Sequence, residues 1–162
     1  MKRKYLILFS LSGLVLSCDQ LTKHLALIFL KPEQAEPILP GLISLFLAKN
    51  NGFAFGLLQR APETLQSMFF IAIPVFALVL IILIFIKLRD NQMLTSLALT
   101  TIFGGAMGNL VDRLQHGYVI DFLDVHWQDK FHLPPLNVAD ISIVVGVLIM
   151  FTSTLFQNEA RT

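Results

Sequence analysis

Residues 64–86 have the sequence TLQSMFFIAIPVFALVLIILIFI, a run without a single Asp, Glu, Lys or Arg. A helix needs about 20 apolar residues to cross the hydrocarbon core of a bilayer, and this run is long enough. Two more runs without those residues cover 91–111 and 141–158, and residues 5–30 are mostly apolar. The runs are continuous rather than alternating, which excludes a β-barrel. The pattern predicts an all-α membrane protein with four transmembrane helices.

The composition of the whole chain also indicates a membrane protein. Of the 162 residues, 14% are charged and 55% are hydrophobic. An average soluble domain has roughly 25% charged residues, so this chain lacks the polar surface of such a domain. The formal net charge of +1 provides no basic face, and we expect no nucleic-acid partner. The single cysteine excludes an internal disulfide.

Basic residues predict the orientation of the spans. They precede the first span at 2–4, lie in the second link at Lys87 and Arg89, and follow the last span at Arg161. By the positive-inside rule, both termini face the cytoplasm. We predict a single domain over 1–162, with spans and outer loops at these positions: spans 6–29, 65–86, 93–112 and 139–157, and loops 30–64 and 113–138.

Two local signals lie outside this pattern. Asn51-Gly52 is a typical hairpin turn, because both residues tolerate positive φ, and it predicts a short β-hairpin between 43–47 and 53–55. Ser17-Cys18 follows a basic start and an apolar run, as in a lipoprotein signal. On that interpretation Cys18 carries a lipid, and the protein is a membrane anchor without catalytic activity. The simpler expectation places Cys18 in the core of the first span.

Four aspartates are predicted at outer helix ends, where an ionised group near the membrane is costly. They are Asp19, Asp112, Asp121 and Asp140. Each also has a structural interpretation: Asp19 and Lys23 are spaced for an i, i+4 pair, and Asp112 can pair with Arg113. Their gathering at one depth instead indicates an intramembrane functional site.

The remaining charged residues and the histidines give weaker indications of a functional site. We expect Asp124, Asp129 and Lys130 to be solvated loop charges. The four histidines form no tight ligand spacing, so we expect neither a metal nor another cofactor. They are His24, His116, His126 and His132.

Paired aspartates can perform hydrolysis without a metal. Two carboxyl groups held close together share one proton, because like charges repel in a low-dielectric site. One group takes a proton from water, which attacks a carbonyl carbon, while the other donates a proton to the carbonyl oxygen. Spacing alone does not say which two of the four aspartates pair. A transporter or proton pathway is the alternative hypothesis for the same acids, and flux measured in liposomes would distinguish it.

Five ordered segments resemble the lipoprotein signal peptidases (signal peptidase II), which are bacterial four-span aspartyl proteases. The resemblance covers essentially the whole chain. The segments are Asp19-Gln20-Leu21-Thr22-Lys23, Asn50-Asn51-Gly52-Phe53-Ala54-Phe55, the stretch 104–113 (GGAMGNLVDR), Gly117-Tyr118-Val119-Ile120-Asp121-Phe122, and Asn137-Val138-Ala139-Asp140.

The resemblance implies a role for each matching residue. The catalytic pair falls on Asp121 and Asp140. Asp112, Gly105 and Gly108 match structural positions. The positions that bind substrate or shape the site are Asp19, Lys23, Asn50, Gly52, Asn109, Arg113, Asn137 and Ala139. Two departures are Leu136, where Phe is common, and Phe53, where a small residue is common; we expect altered packing there.

The resemblance also implies substrate and location. The enzyme would cut a prolipoprotein just before a cysteine that carries a diacylglyceryl group, and so release the signal peptide. It would lie in the bacterial inner membrane with its active site toward the outer face, among membrane lipids and as a monomer. A small β element and a short surface helix are expected within 38–66.

Overall fold

The computed structural model describes residues 3–31, 34–52, 62–128 and 130–159. Over these ranges the chain forms four long helices: α1 (Arg3–Phe29), α2 (Glu63–Lys87), α3 (Met93–His116) and α4 (Val138–Glu159). Each contains a stretch long and apolar enough to cross a membrane, as the charge-free runs predicted. Each predicted span lies within one of these helices.

Helix α3 lies at the centre of the bundle and packs against the other three helices. Close packing requires glycine on its surface. A Cβ on Gly105 would collide with the carbonyl oxygen of Ala139 in α4, and one on Gly108 would collide with the Asp19 carboxylate of α1. Small residues at these positions therefore let α1 and α4 approach α3 closely. The outer faces carry exposed apolar side chains such as Phe9 and Phe76, as a lipid-facing surface requires.

The start of α1 and the end of α4 lie at the same end of the bundle. The Lys4 ammonium donates to the carbonyl oxygens of Ile86 and Leu88, at 3.1 and 2.6 Å, which joins the start of α1 to the end of α2. The hydroxyls of Thr95 and Ser153 lie 3.0 Å apart, which joins the start of α3 to the last turns of α4. The polar helix ends that carry the aspartates therefore lie at the opposite end.

A four-stranded antiparallel sheet is formed by the two long connections. The strands are β1 (Glu36–Leu39), β2 (Ile43–Asn50), β3 (Val119–Trp127) and β4 (Phe131–His132), in that order. Gly117, with φ of 76°, ends α3 in the left-handed conformation and lets the chain turn directly into β3. The sheet therefore holds β3 beside the polar end of α3.

The sheet extends the predicted β element. We expected strands only in the first long loop, whereas β3 and β4 come from the second. β2 contains the predicted strand 43–47 and pairs with β1 on one side and β3 on the other. The predicted second hairpin strand, 53–55, lies outside the described residues. The surface helix has no counterpart in 38–52, and residues 53–61 lie outside the described part of the chain.

The expectation that Cys18 lies in the core of the first span is wrong. The Cys18 side chain lies within α1 but is exposed rather than packed in the core. The reason is its helical position: neighbouring Asp19 is fully buried toward α3, so Cys18 lies on a different side of the helix.

Candidate active site

The four aspartates lie in one connected hydrogen-bond network at the polar end of the bundle. Its centre is Lys23, whose side chain is 2% exposed. The Lys23 ammonium lies 2.8 Å from Asp19 Oδ2 and 2.9 Å from Asp112 Oδ2, and it donates to Asn109 Oδ1 at 3.0 Å. The predicted i, i+4 pair is formed. Asp112 pairs with Lys23, which the sequence did not indicate.

The two carboxylates on Lys23 are also held by backbone donors. Asp19 Oδ1 accepts the amide of Ala139 at 2.8 Å, at the start of α4. Asp112 Oδ2 accepts the amide of Ile120 at 3.0 Å, on β3. The two carboxylates therefore fix α1, α3, α4 and β3 relative to one another.

Gln20 completes this group, and its role was not predicted. Its side-chain amide donates to Asp112 Oδ1 at 2.9 Å and to Asp19 Oδ2 and the Gly108 carbonyl at 3.2 Å each. The only available signal was its place in the first matching segment, directly after Asp19.

Asp121 lies on β3 and is fully buried. Its Oδ1 accepts from the side-chain amide of Asn137 at 2.6 Å, and its Oδ2 accepts from that of Asn50 at 2.8 Å. Asn50 is oriented by Gly52, whose backbone N–H donates to Asn50 Oδ1 at 2.8 Å. Gly52 has φ of 73°, and a side chain there would collide with the Phe70 ring. Both Asn50 and Gly52 thus belong to the Asp121 environment.

Asp140 lies in the first turn of α4 and forms a reciprocal cap with Asn137. The Asp140 amide donates to Asn137 Oδ1 at 2.9 Å, and Asp140 Oδ2 accepts the Asn137 amide at 3.2 Å. This is the arrangement of a capping box, with Asn as the N-cap residue. Asp140 Oδ1 also accepts from the Asn109 side chain at 2.8 Å.

Two asparagines link Asp121 to Asp140. The Asn137 side-chain amide, fully buried, donates to Asp121 and also to Asn109 Oδ1 at 3.1 Å. Asn109 in turn donates to Asp140. Among the residues that the structure describes, neither Asp121 nor Asp140 has an ion pair, whereas Asp19 and Asp112 both lie against Lys23. The network thus divides the four aspartates into two that share the Lys23 cation and two without a cation within 4.0 Å.

Burial raises the pKa of Asp121 to about 6. Removal from water disfavours the charged carboxylate and is the largest cause. The hydrogen bond from Asn50 opposes the rise in pKa, and the nearby charge of Asp140 adds to it. Asp121 therefore holds a proton at a pH where an exposed aspartate has lost it.

Arg113 is near this network but is not hydrogen-bonded to its aspartates in the described structure. The guanidinium carbon lies 4.7 Å from the centre of the Phe70 ring of α2. Its buried Nε has no hydrogen-bond partner among the described residues. The predicted pair of Asp112 with Arg113 is therefore not formed, because Lys23 is within reach of Asp112 from α1.

The second long connection contains another cluster that the sequence did not predict. Asp124 is buried on β3 rather than solvated in a loop, and its carboxylate lies beside His126 and His132. Strand pairing brings these side chains together. Asp129 lies outside the described residues, and Lys130 is exposed. Leu136, one of the two departures, pairs its backbone with Leu123 of β3.

These features define a class of protein. The fold is a four-helix membrane protein with a small sheet at its polar end. The site contains two carboxyl groups linked through asparagines, and burial raises the pKa of one of them, Asp121, to about 6. This fold and these carboxyl groups are the features of an aspartic hydrolase that acts at the edge of a membrane.

Comparison with known proteins gives the family. The family model for signal peptidase (SPase) II matches residues 11–156. The lipoprotein signal peptidase of Geobacter metallireducens is 43% identical over 161 residues, covering 99% of this chain and 97% of that protein. That of Geobacter sulfurreducens is 45% identical over 151 residues, covering 93% of this chain and 91% of that protein. The chain belongs to the signal peptidase II family, whose members are aspartic peptidases, and the resemblance is confirmed.

Solved structures agree with this assignment. A bacterial membrane enzyme solved at 2.3 Å resolution by the in meso method matches with a TM-score of 0.80 and 28% identity. The match covers 98% of this chain and 91% of that one. A second bacterial membrane enzyme, solved at 1.9 Å, gives a TM-score of 0.77 and 29% identity, with 94% and 92% covered. Family membership favours the peptidase over a transporter or an inactive anchor.

Proposed function

We propose that this chain removes the signal peptide from diacylglyceryl-modified prolipoproteins, cutting just before the lipidated cysteine, with Asp121 and Asp140 as the catalytic pair. The observation that carries the assignment of this pair is the division of the four aspartates. Asp19 and Asp112 share the single positive charge of Lys23, whereas Asp121 and Asp140 have no cation within 4.0 Å among the described residues and would share a proton instead. A shared proton is what the reaction requires.

In the proposed mechanism the pair begins with one proton. The ionised carboxylate takes a proton from water, and the oxygen of that water attacks the scissile carbonyl carbon. The protonated partner donates its proton to the carbonyl oxygen, giving a tetrahedral diol. When the diol collapses, the carbon–nitrogen bond breaks and the leaving nitrogen takes the proton that came from water. One diol hydroxyl returns its proton to the other carboxylate, so the pair again holds one proton. The products are the signal peptide and the free amino group of the lipidated cysteine.

Three asparagine side chains hold the carboxyl groups of Asp121 and Asp140 in position for this chemistry. Asn50 and Asn137 donate to Asp121, and Asn109 donates to Asp140, so each carboxyl group is fixed before substrate binds. Fixed donors and acceptors lower the reorganisation needed in the transition state. Under this proposal Asn50, Asn109 and Asn137 are positioning residues.

A neighbouring apolar cavity fits the lipid on the substrate. It has a volume of about 230 Å³ and lies between α1 and the sheet, with Leu25, Phe29, Leu45 and Phe122 in its lining. Phe122 directly follows Asp121 in β3 but faces the other side of the strand, so this cavity offers a contact for an apolar part of the substrate near the pair without itself placing the scissile bond. An apolar pocket next to a few polar groups is the usual form of a ligand site.

The proposal also covers location. Basic residues near both termini and in the 87–92 link place that end of the bundle in the cytoplasm. The aspartates lie at the other end, so the active site faces outward from the bacterial inner membrane. There the lipid of a prolipoprotein holds the scissile bond at the same depth. We expect membrane lipids around a single copy of the chain.

The test is a gel-shift cleavage assay with purified enzyme in detergent. The substrates are a diacylglyceryl-modified prolipoprotein and its unlipidated form. We expect wild type to cut only the lipidated form, and Asp121→Asn and Asp140→Asn each to lower the rate by about 10²–10⁴-fold, the usual contribution of a general acid or base. Glu36→Gln, at an exposed acid on β1, is the control and keeps cleavage. Wild-type rates in a folded Asp140→Asn variant would remove that residue from the pair.

A further inference from the structure

Strands β3 and β4 carry a second polar cluster on the face opposite to Asp121. Asp124 and His126 are two residues apart on β3, so the alternation of a strand places them on one face, whereas Asp121 lies on the other. His132 on β4 is the pairing partner of His126. The potential ligand atoms of the three side chains all lie within 4.8 Å of one another.

The distances in this cluster are those of ligands around one small ion. Asp124 Oδ2 lies 3.1 Å from His126 Nδ1, and Asp124 Oδ1 lies 3.2 Å from His132 Nδ1. In a tetrahedral zinc site with bonds of about 2.0 Å, neighbouring ligand atoms are about 3.3 Å apart. The two imidazole rings are stacked, with centres 5.0 Å apart and planes 20° apart.

His126 has an unsatisfied nitrogen that faces this cluster. Its side chain is 10% exposed, and its Nδ1 is buried without a hydrogen-bond partner among the described residues, although Asp124 is close. A buried polar atom without a partner is costly and indicates a missing ligand. The side chain of His132 is 54% exposed, so the cluster is accessible from solvent.

We propose that Asp124, His126 and His132 bind one divalent transition-metal ion, with Zn²⁺ as the best match. Two imidazoles and one carboxylate suit zinc, copper or nickel, whereas Mg²⁺ and Ca²⁺ prefer oxygen ligands alone. Water would fill the remaining position of a tetrahedral site. The ion would tie β4 to β3 and so hold the chain that continues into Asn137 and α4.

The test is equilibrium binding of Zn²⁺ alone, measured by calorimetry. The full chain is purified in detergent through a tag that contains no histidine, then stripped with a chelator. We expect one Zn²⁺ per wild-type chain, unaffected by excess Mg²⁺. His132→Gln, which changes a half-exposed side chain, should weaken binding by at least about tenfold. His24→Gln is the matched control, because His24 is exposed on α1 and should leave binding unchanged.

A second measurement identifies the ligands. Co²⁺ in place of Zn²⁺ should give the visible absorption of a tetrahedral site in wild type and lose it in His132→Gln. Absence of saturable Zn²⁺ binding in a folded wild type, or equal binding by wild type and His132→Gln, would overturn the proposal. The cluster would then be a simple contact of histidines with aspartate. These readouts do not depend on cleavage, so the proposal stands apart from the proposed function.

Discussion

Replacement of Lys23 by methionine removes one charge from the centre of the site while keeping an unbranched side chain. The Lys23 ammonium is the only cation within 4.0 Å of Asp19 and Asp112 in the described structure, and those carboxylates are 0% and 1% exposed. Without it, two buried carboxylates remain near each other with no neutralising charge. Loss of one partner of a buried ion pair costs about 3–5 kcal/mol, against at most about 1 kcal/mol for an exposed pair.

Thermal unfolding in detergent measures the loss. A change of 1 kcal/mol shifts the melting temperature by about 2–4 °C in a chain of this size, so Lys23→Met should melt about 6–20 °C below wild type. Lys31→Met is the control, because Lys31 is exposed just beyond α1. A surface change of that kind stays within about 0.5 kcal/mol of wild type.

A double variant separates charge from packing. In Lys23→Met with Asp112→Asn, one of the two uncompensated carboxylates becomes neutral, so part of the lost stability should return. Residues in one network couple in this way, whereas independent effects add. A Lys23→Met variant within about 1 kcal/mol of wild type, or a double variant less stable than either single one, would refute the reasoning.

Two other predictions concern pH and helix packing. The proposed catalytic pair needs one proton, and the pKa of Asp121 is raised to about 6, so kcat/KM should fall as the pH rises through about 6. Asn50→Leu removes a hydrogen bond that favours the charged form, so its alkaline limb should move to higher pH; an unchanged limb would contradict this. Gly105→Ala should destabilise the bundle by about 1–3 kcal/mol in thermal unfolding, because the new methyl group meets the α4 backbone. Gly13→Ala, with open space at that position, should unfold at or above the wild-type temperature, and equal losses in both variants would contradict the packing argument.

The helices and the depth of the site could be predicted from the sequence for a simple physical reason. A membrane span must satisfy its backbone internally and be apolar along its length, so absence of charge over 64–86 almost determines the structure. The same requirement for an apolar span also makes charged residues within a span stand out. Asp19 and Lys23 interrupt an otherwise apolar run, and such residues remain in a span only when they are buried and paired, as these are.

The strands and the pairing of polar groups could not be predicted in the same way. β3 is buried on both faces along much of its length, so it lacks the alternation that identifies a strand. Without β3, nothing in the sequence placed His132 beside His126. The predicted spans brought Asp112 and Lys23 to a similar depth, but not into contact. These contacts join residues far apart in the chain and depend on how strands and helices meet, which spacing within one segment does not contain.

The buried Lys23 explains how one small site can hold four aspartates. Four ionised carboxylates at one depth would repel strongly in a medium of low dielectric constant. Lys23 offsets part of this repulsion for Asp19 and Asp112, which accept the backbone amides of Ala139 and Ile120. Lys23 also donates to Asn109, which in turn donates to Asp140. Asp121 and Asp140 accept hydrogen bonds only from amides and have no cation within 4.0 Å among the described residues, so the charges of Lys23 and Arg113 reach them only over a longer distance. Under the proposed mechanism, retention of one proton by the pair lowers their mutual repulsion and gives the protonation state that the hydrolysis requires.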